Sequence, residues 1–316
     1  MGEIFFRSNK MKVSVIIVTY NPMVWIQKCL SSLVESSSNC EIIVVDNNSN
    51  DGSNDFIKRK YPEITLVEND KNLGFGKANN LGIEIAYLNN SDYYFLLNQD
   101  AWVEFKTLEE LIEIHKIQPE FDLLSPIHLN GRGNELDYNF STFISPIKCK
   151  GFVSDMILQK ELKRVYEVFF VNAAGWLLTK KCIEKVGGFN ASFYHYGEDL
   201  NYVERLHYHE LKLGIVPKAK MYHDRQDRKV NDFLIKEEII FERNIIRELS
   251  RPNFFKDKFY FFKMLMKRTL ITLFSFESFQ FGLLLKLYKV YFKIDFKRIK
   301  YNRKKSLIEG LNFLEL

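Results

Sequence analysis

Several familiar signatures are missing from this 316-residue chain, and each absence removes a class of function. Its four cysteines, Cys29, Cys40, Cys149 and Cys182, are scattered and form no Cys-x-x-Cys pair, which excludes a zinc ribbon or disulfide framework and fits a reducing cytosol. No Gly-x-Gly-x-x-Gly follows the first apolar run, so a dinucleotide enzyme is not expected. Gly76-Lys77 resembles the end of a phosphate-binding loop, but Ala78 stands where Ser or Thr is needed and no glycine lies five residues earlier. Met1 to Met11 lacks the apolar stretch of a signal peptide. The most apolar piece near the C-terminus, Thr269 to Leu285, contains Glu277 and Gln280 and falls short of the roughly 20 apolar residues of a membrane span.

What is present is globular: 46% hydrophobic and 27% charged residues, enough for one large or two ordinary domains. The 28 Phe and 16 Tyr are dense after residue 254. Charge is uneven. Pro252 to Lys305 holds 14 Lys and Arg against 3 acids, a net +11 within a chain of net +5, which leaves the remainder at −6. An acidic front and a basic tail do not describe a nucleic-acid binder.

Apolar runs alternate with helical patterns. Lys12–Thr19, Glu41–Val45, Ile64–Glu68 and Tyr93–Leu97 read as buried strands. Trp25–Val34, a short segment ending at Arg59, and Lys77–Leu88 read as helices, with Pro22 just inside the first. This βαβαβαβ order predicts an α/β fold, a mostly parallel sheet flanked by helices. Leu123–Val168 has broken patterns and is expected to be loops and short strands. Val168–Thr179 is apolar around Asn172-Ala173-Ala174-Gly175, where small residues admit close approach of a ligand. Gly187-Gly188-Phe189 is a turn.

Three strand ends carry polar clusters: Thr19-Tyr20-Asn21, Asp46 and Asn98-Gln99-Asp100. In open α/β sheets these ends line one edge, where ligands bind. Tyr20 can stack on a base, and Asp46 can accept hydrogen bonds from a base or ribose or simply cap the next helix. Asn98 and Asp100, two apart, share a side and offer hard oxygen donors to Mg²⁺ or Mn²⁺, a cation usually completed by substrate phosphates. A second cluster, Tyr194-His195-Tyr196-Gly197-Glu198-Asp199, precedes a helical pattern; its acids suit a helix N-terminus or a general base. His223 stands at a strand end as a candidate third metal ligand. His207 and His209 are expected on the surface.

In order and spacing these stretches resemble the inverting glycosyltransferases of family 2, with a Rossmann-like GT-A fold, over Lys12 to His223. The matching residues are Val18-Thr19-Tyr20-Asn21, Val45-Asp46-Asn47-Asn48-Ser49 with Asp51-Gly52, Asn72-Leu73-Gly74-Phe75-Gly76 with Asn79, Asn80 and Gly82, Leu96-Leu97-Asn98-Gln99-Asp100, Gly187-Gly188-Phe189 and Glu198-Asp199. The Asn-x-Asp form is nearest to bacterial rhamnosyltransferase-like members. The resemblance implies nucleoside contacts from Thr19, Tyr20, Asn21 and Asp46, further donor contacts from Asn72, Gly74, Asn79 and Asn98, metal ligation by Asp100 and His223, and a catalytic base at Asp199 with Glu198 beside it. It departs from the family at Asn98, where the common motif has Asp, and after His223, where Asp-Arg-Gln-Asp-Arg replaces a Gly- and Ser-containing loop.

The resemblance implies a nucleotide-sugar donor, dTDP-rhamnose or a UDP-sugar, and a glycan or lipid-linked glycan acceptor. The catalytic domain is expected over residues 10–225, followed at 226–316 by a basic, aromatic helical extension. Its pattern suits amphipathic helices on an anionic membrane, placing a cytoplasmic protein peripherally on the inner face of the cell membrane, or a helical appendage packed on the catalytic domain or on a second copy of the chain. Two other classes compete. A sugar nucleotidyltransferase needs a Gly-rich, basic phosphate loop after the first strand, and Tyr20-Asn21-Pro22 is not one. A non-catalytic nucleotide-sugar-binding or scaffold protein of a polysaccharide assembly complex is favoured slightly by Asn98 and disfavoured by the retained Asp100, Glu198 and Asp199.

Overall fold

The computed structural model describes residues 11–194, 196–225, 236–253, 256–275 and 278–316. The N-terminal segment read above as lacking a signal peptide therefore lies almost wholly outside the described residues, as do His195, Glu277 and the expected domain boundary just after 225.

The first half alternates as its periodicity predicts. Strands β1 (Val13–Thr19), β2 (Glu41–Asp46), β3 (Thr65–Glu68) and β4 (Tyr93–Asn98) are separated by helices α1 (Ile26–Val34), α2 (Ser53–Lys60) and α3 (Phe75–Leu88). Their ladders are all parallel, in the order β3-β2-β1-β4. Near-continuous apolar runs are what a sheet covered on both faces requires. Accordingly, Ile16 and Val45 join one buried cluster while Ile17 and Val44 join the cluster on the other face. The first helix starts later than expected: Pro22 opens a turn, its carbonyl accepting from Trp25 and Ile26 N–H, and helical structure begins at Ile26.

Beyond β4 the sheet becomes mixed. It gains β5 (Ala101–Val103), then after α4 (Thr107–Ile117) the strand β6 (Leu123–Asn130). Short helices α5 (Tyr138–Phe143) and α6 (Phe152–Ile157) and the strand β7 (Tyr166–Glu167) lead to β8 (Gly175–Thr179), α7 (Lys180–Val186), α8 (Glu198–Tyr208) and β9 (Leu213–His223). The sheet continues β4-β8-β6-β9-β5, with β7 on β9. Within Leu123–Val168, expected to hold loops and short strands, Leu123–Asn130 is a buried central strand of eight residues. Its pattern is hidden by Pro126, where the register with β9 shifts, and by Ser125 and His128, whose Oγ and Nε2 pair at 3.0 Å. A hydrogen-bonded polar pair can sit in a core without alternating with apolar residues, and here it leaves His128 Nδ1 buried without a partner.

Helices α9 (Glu237–Ser250), α10 (Lys258–Ser275), α11 (Ser278–Lys293) and α12 (Phe296–Ser306) complete the chain. Helices α9, α10 and α11 share a cluster of Phe241, Ile245, Phe261, Leu265, Leu287 and Tyr291. The last residues return to the sheet unit: Leu314 joins its core, and the Gly188 N–H donates to the Asn312 carbonyl at 2.8 Å. His209, expected on the surface, is buried, its Nε2 3.0 Å from the Ser306 carbonyl oxygen, because α12 covers it. His207 stacks on Phe169.

Candidate active site

A cavity of about 840 Å³ opens at the C-terminal ends of β1 and β4. One wall comes from polar loops that brace each other. Thr19 Oγ1 donates to Asp46 Oδ1 at 2.9 Å, and the other Asp46 oxygen accepts from the Ser49 N–H at 2.8 Å and Asn54 Nδ2 at 2.9 Å. The Ser49 hydroxyl also donates to Asp46. Asp46 is fully buried and its carboxylate is spent on these donors, whereas Thr19 and Tyr20 line the cavity. Asn21, held at φ 50°, donates its N–H to Ser49 Oγ and accepts from the Asn50 N–H, so it ties two loops together outside the cavity lining. Replacing Asp46 with Ala strands buried donors without an acceptor. The expected loss is about 1–3 kcal/mol of folding stability, read as a lower Tm; unchanged Tm with weakened nucleotide binding would instead mark Asp46 as a direct contact.

The next loop is set by asparagines. Asn72 Oδ1 accepts from the Gly74 N–H at 2.8 Å, and Asn47 Oδ1 accepts from the Leu73 N–H at 3.2 Å. Gly74 has φ +81°, and a Cβ there would strike the Tyr194 carbonyl oxygen. Asn72, Gly74 and Asn47 line the cavity; Asn79 lies inside α3, buried, with Nδ2 donating to the Phe75 carbonyl at 3.0 Å.

At the end of β4 the chain leaves the core. Gln99 clamps Tyr20, accepting its N–H at 2.7 Å and donating to its carbonyl at 3.2 Å. Asn98 and Asp100 line the cavity and both approach His223: Asn98 Nδ2 lies 3.3 Å and Asp100 Oδ1 3.4 Å from His223 Nε2. The antiparallel pairing of Ala101 with His223 brings the two strand ends together. His223 does not line the cavity itself. On its other side, Nδ1 lies 3.4 Å from Asp137 Oδ2 and 3.1 Å from Arg225 Nε. Burial pushes the Asp137 carboxyl up, but the His223 hydrogen bond, the Phe140 N–H and the Arg225 charge outweigh it and hold it down at about 2.

The opposite wall is the N-terminus of α8. Gly197 adopts φ +96° and turns the chain so that Glu198 and Asp199 occupy the first helical turn. Asp199 accepts the Leu200 N–H at 2.8 Å and that of Ala173. Burial raises the Asp199 carboxyl against these hydrogen bonds. Burial, then the Asp199 charge, raises Glu198, whose Oε2 has no hydrogen-bond partner.

Eight sequence-derived candidates thus share one cavity: Thr19, Tyr20, Asn72, Gly74, Asn98, Asp100, Glu198 and Asp199. Asn21, Asp46, Asn79 and His223 brace it from behind. Sequence reasoning missed Asn47, Gln99, Asn172, Arg225 and, on α9, Arg243. Asn47 and Gln99 sat inside recognised motifs but were read as spacers. Asn172, whose Oδ1 is buried without a partner, belongs to the small-residue stretch already singled out. Arg243 had no sequence signal, because only tertiary packing brings α9 to the cavity.

A cation at the Asp100 end would find a carboxylate and an imidazole whose nearest atoms are 3.4 Å apart. Among the described residues no group of three or more His, Cys, Asp or Glu side chains forms a metal site. Two protein donors fit a cation that takes its remaining oxygens from a substrate diphosphate and water, as Mg²⁺ commonly does.

Comparison with known proteins agrees with this architecture. A poly(ribitol-phosphate) beta-glucosyltransferase of Bacillus spizizenii is 32% identical over 131 residues, covering 39% of this chain and 20% of that protein. A dTDP-rhamnosyl transferase of Shigella flexneri is 23% identical over 217 residues, 68% of this chain and 70% of its own. The chain thus spans a fifth of the first relative. A solved structure of GalNAc-T7 with UDP, GalNAc and Mn²⁺ superposes with TM-score 0.62 at 14% identity, covering 96% of this chain and 56% of that one, a likeness of fold. The pattern of glycosyl transferase family 2 matches residues 14–172, half of the chain. On that match and on the GT-A architecture, this chain belongs to glycosyl transferase family 2.

Proposed function

We propose that the protein transfers a sugar from a nucleoside-diphosphate donor to a hydroxyl of a growing surface glycan, in one displacement that inverts the anomeric centre. The single observation that carries the reading is the cavity itself: one space gathers the Thr19–Tyr20 and Asn72–Gly74 loops, the Asn98–Asp100 turn and the Glu198–Asp199 pair. The first two suit a nucleoside, with Tyr20, 51% exposed, offering its ring to a base. Asp199 accepts the acceptor hydroxyl proton as that oxygen attacks the anomeric carbon. Backbone N–H groups, those of Leu200 and Ala173 among them, hold the carboxylate in place without neutralising it. Glu198 supports Asp199 or touches the acceptor. Bound Mg²⁺ or Mn²⁺ at Asp100 and His223 would neutralise charge on the leaving diphosphate. Asp137 and Arg225 meet His223 at Nδ1, Arg225 Nε donating to it, and fix the ring with Nε2 toward Asn98 and Asp100.

The rhamnosyl and glucosyl transfers named for the relatives support dTDP-rhamnose or a UDP-sugar as donor, and the UDP and Mn²⁺ of the GalNAc-T7 structure support the diphosphate and metal. A glycan or lipid-linked glycan is the acceptor class. Residues 10–225 form the catalytic unit and 226–316 the extension, which makes peripheral contact with the cytoplasmic face of the membrane. The test is turnover across a panel of nucleotide sugars, with and without EDTA. Use of one donor, lost with EDTA, supports the proposal. Binding of a donor without turnover under any condition replaces it with the non-catalytic scaffold reading.

A further inference from the structure

Helix α9 has two faces with different neighbours. Phe241 and Ile245 are buried against α10 and α11. Ile239, Glu242, Arg243 and Ile246 line the active-site cavity. These four stand at i, i+3, i+4 and i+7, so at 3.6 residues per turn they fall on one stripe about 100° wide. The C-terminal end of α9 is tied to α8, the helix that carries Glu198 and Asp199. Asn201 Nδ2 donates to the Ser250 carbonyl at 3.2 Å, and Arg251 Nε lies 2.9 Å from Glu204 Oε1. The extension thus supplies one wall of the cavity and fixes it to the helix of the candidate base.

Arg243 is the cation of that wall. Its stem lies against the turn before α8, where a Cβ placed on Gly197 would be 3.9 Å from Arg243 Cγ, and its guanidinium carbon is 5.4 Å from the centroid of the Tyr196 ring. The cavity's other arginine, Arg225, belongs to the opposite end: its Nε is 3.1 Å from His223 Nδ1 and 3.2 Å from Asp137 Oδ2. The charge of Arg225 acts on Asp199 and that of Arg243 on Glu198. The donor diphosphate, placed at Asp100 and His223, is therefore served from the Arg225 end. Among the described residues Arg243 has no ion pair. Two other atoms around the base are also unspent. Glu198, 5% exposed, has Oε2 without a hydrogen-bond partner, and Asn172 Oδ1 is buried without one. A hydroxyl both donates and accepts, so sugar hydroxyls satisfy both atoms whether or not Glu198 holds its proton. A guanidinium asks for something else. It is permanently charged, has no acceptor, and its planar fork matches a phosphate.

We propose that the α9 stripe is the acceptor side of the cavity and that Arg243 is its specificity-determining residue, binding a phosphate group that the acceptor carries beside the sugar whose hydroxyl reacts. This rests on the transferase reading above and names the acceptor chemistry that reading leaves open. Glu198 Oε2 and Asn172 Oδ1 take hydroxyls of the acceptor sugar, and the Tyr196 ring, 44% exposed, offers it an apolar face. The acceptor phosphate is unchanged by the reaction. The reacting hydroxyl gives its proton to Asp199, and its oxygen bonds to the anomeric carbon as the bond from that carbon to the donor diphosphate breaks. The phosphate belongs to a lipid-diphosphate linkage or to a phosphodiester within the glycan.

The test is sugar transfer by the full chain, with Mn²⁺ and the nucleotide sugar that it binds, to a panel of hexoses and N-acetylhexosamines. Each acceptor is offered linked through a diphosphate to a short prenyl chain, as a phosphodiester of glycerol, and as the uncharged methyl glycoside. The parent is expected to use a phosphate-bearing form at least about tenfold better by kcat/KM than the methyl glycoside of the same sugar, the scale of one charge-assisted hydrogen bond. Arg243→Gln should lose that preference through a raised acceptor KM, keep the parent's calorimetric affinity for the donor, and be partly rescued by Arg243→Lys. Preference for the prenyl diphosphate or for the phosphodiester supports the inference and tells the two sources apart. A methyl glycoside used as well as its phosphorylated forms overturns it, as does a panel in which no phosphate-bearing form accepts sugar. Weakened donor affinity in Arg243→Gln assigns the arginine to the donor diphosphate and overturns it. An equal loss with charged and neutral acceptors means that Arg243 only holds Tyr196 and Glu198 in place, and overturns it too. Donor hydrolysis without acceptor is measured alongside. A parent that binds and hydrolyses a donor but ignores acceptor phosphate fails this inference alone, whereas one that binds no donor fails the transferase reading.

Discussion

Asp199→Asn lowers sugar transfer by about 10²–10⁴-fold, the range that a positioned general base contributes, and leaves donor binding at the parent level. The amide is nearly isosteric with the carboxylate and keeps an oxygen for the Leu200 N–H. What it loses is the ability to take a proton. Turnover within a few-fold of the parent would move the base elsewhere, Glu198 first. The pH dependence follows from the burial that raises the Asp199 carboxyl. The base works only when ionised, so activity should climb with rising pH through a limb above the ordinary carboxylate range and disappear below it. Stability has the opposite sign. Glu198 and Asp199 hold protons more tightly folded than unfolded, so their contribution is fully present below the unfolded-state pKa values and is lost as pH rises through the folded ones. Glu198→Gln removes part of that loss, and its Tm should gain on the parent as pH rises. A constant Tm difference across that window would show that Glu198 is not held protonated by the fold.

Asp100→Ala has a comparable effect by another route. It removes the carboxylate at the β4 end and leaves His223 Nε2 with Asn98 as its neighbour, while Asp137 and Arg225 stay at Nδ1. Transfer should fall by about 10²-fold or more, on the scale of losing a main electrostatic stabiliser of the departing group, and the remaining activity should no longer respond to Mn²⁺ or EDTA. The signature separating this variant from Asp199→Asn is the binding step: Asp100→Ala loses metal-enhanced affinity for the donor diphosphate, and Asp199→Asn does not. Equal metal response in Asp100→Ala and parent would remove Asp100 from the metal site.

Much of this geometry could be read from the residues because local patterns produce it. The first four strands are apolar runs ended by polar clusters, and a parallel sheet sends those ends to one edge. Asp100, Glu198 and Asp199 were legible for that reason: each stands where a strand ends or a helix begins. Other features depend on distant packing. The apolar pattern of Leu123–Asn130 looked broken because Ser125, Pro126 and His128 interrupt it inside the core. Asp46 looked free to meet a ligand, yet Thr19, Ser49 and Asn54 occupy its oxygens. Arg243 reaches the cavity only because Phe241 and Ile245, on the other side of its helix, are buried against α10 and α11. His209 is hidden by a helix almost a hundred residues further on. The basic, aromatic tail was legible as composition, but the packing of α9, α10 and α11 around Phe241, Ile245, Leu265 and Leu287 required the fold.

The most direct test is calorimetric titration of dTDP-rhamnose and UDP-sugars into the parent, Asp199→Asn and Asp100→Ala proteins, each with and without Mn²⁺. The account predicts one donor that binds the parent and Asp199→Asn alike, with Mn²⁺-enhanced affinity in both and none of that enhancement in Asp100→Ala. Absence of binding by every donor to the parent protein, with Mn²⁺ present, would contradict the assignment of this cavity as a nucleotide-sugar site.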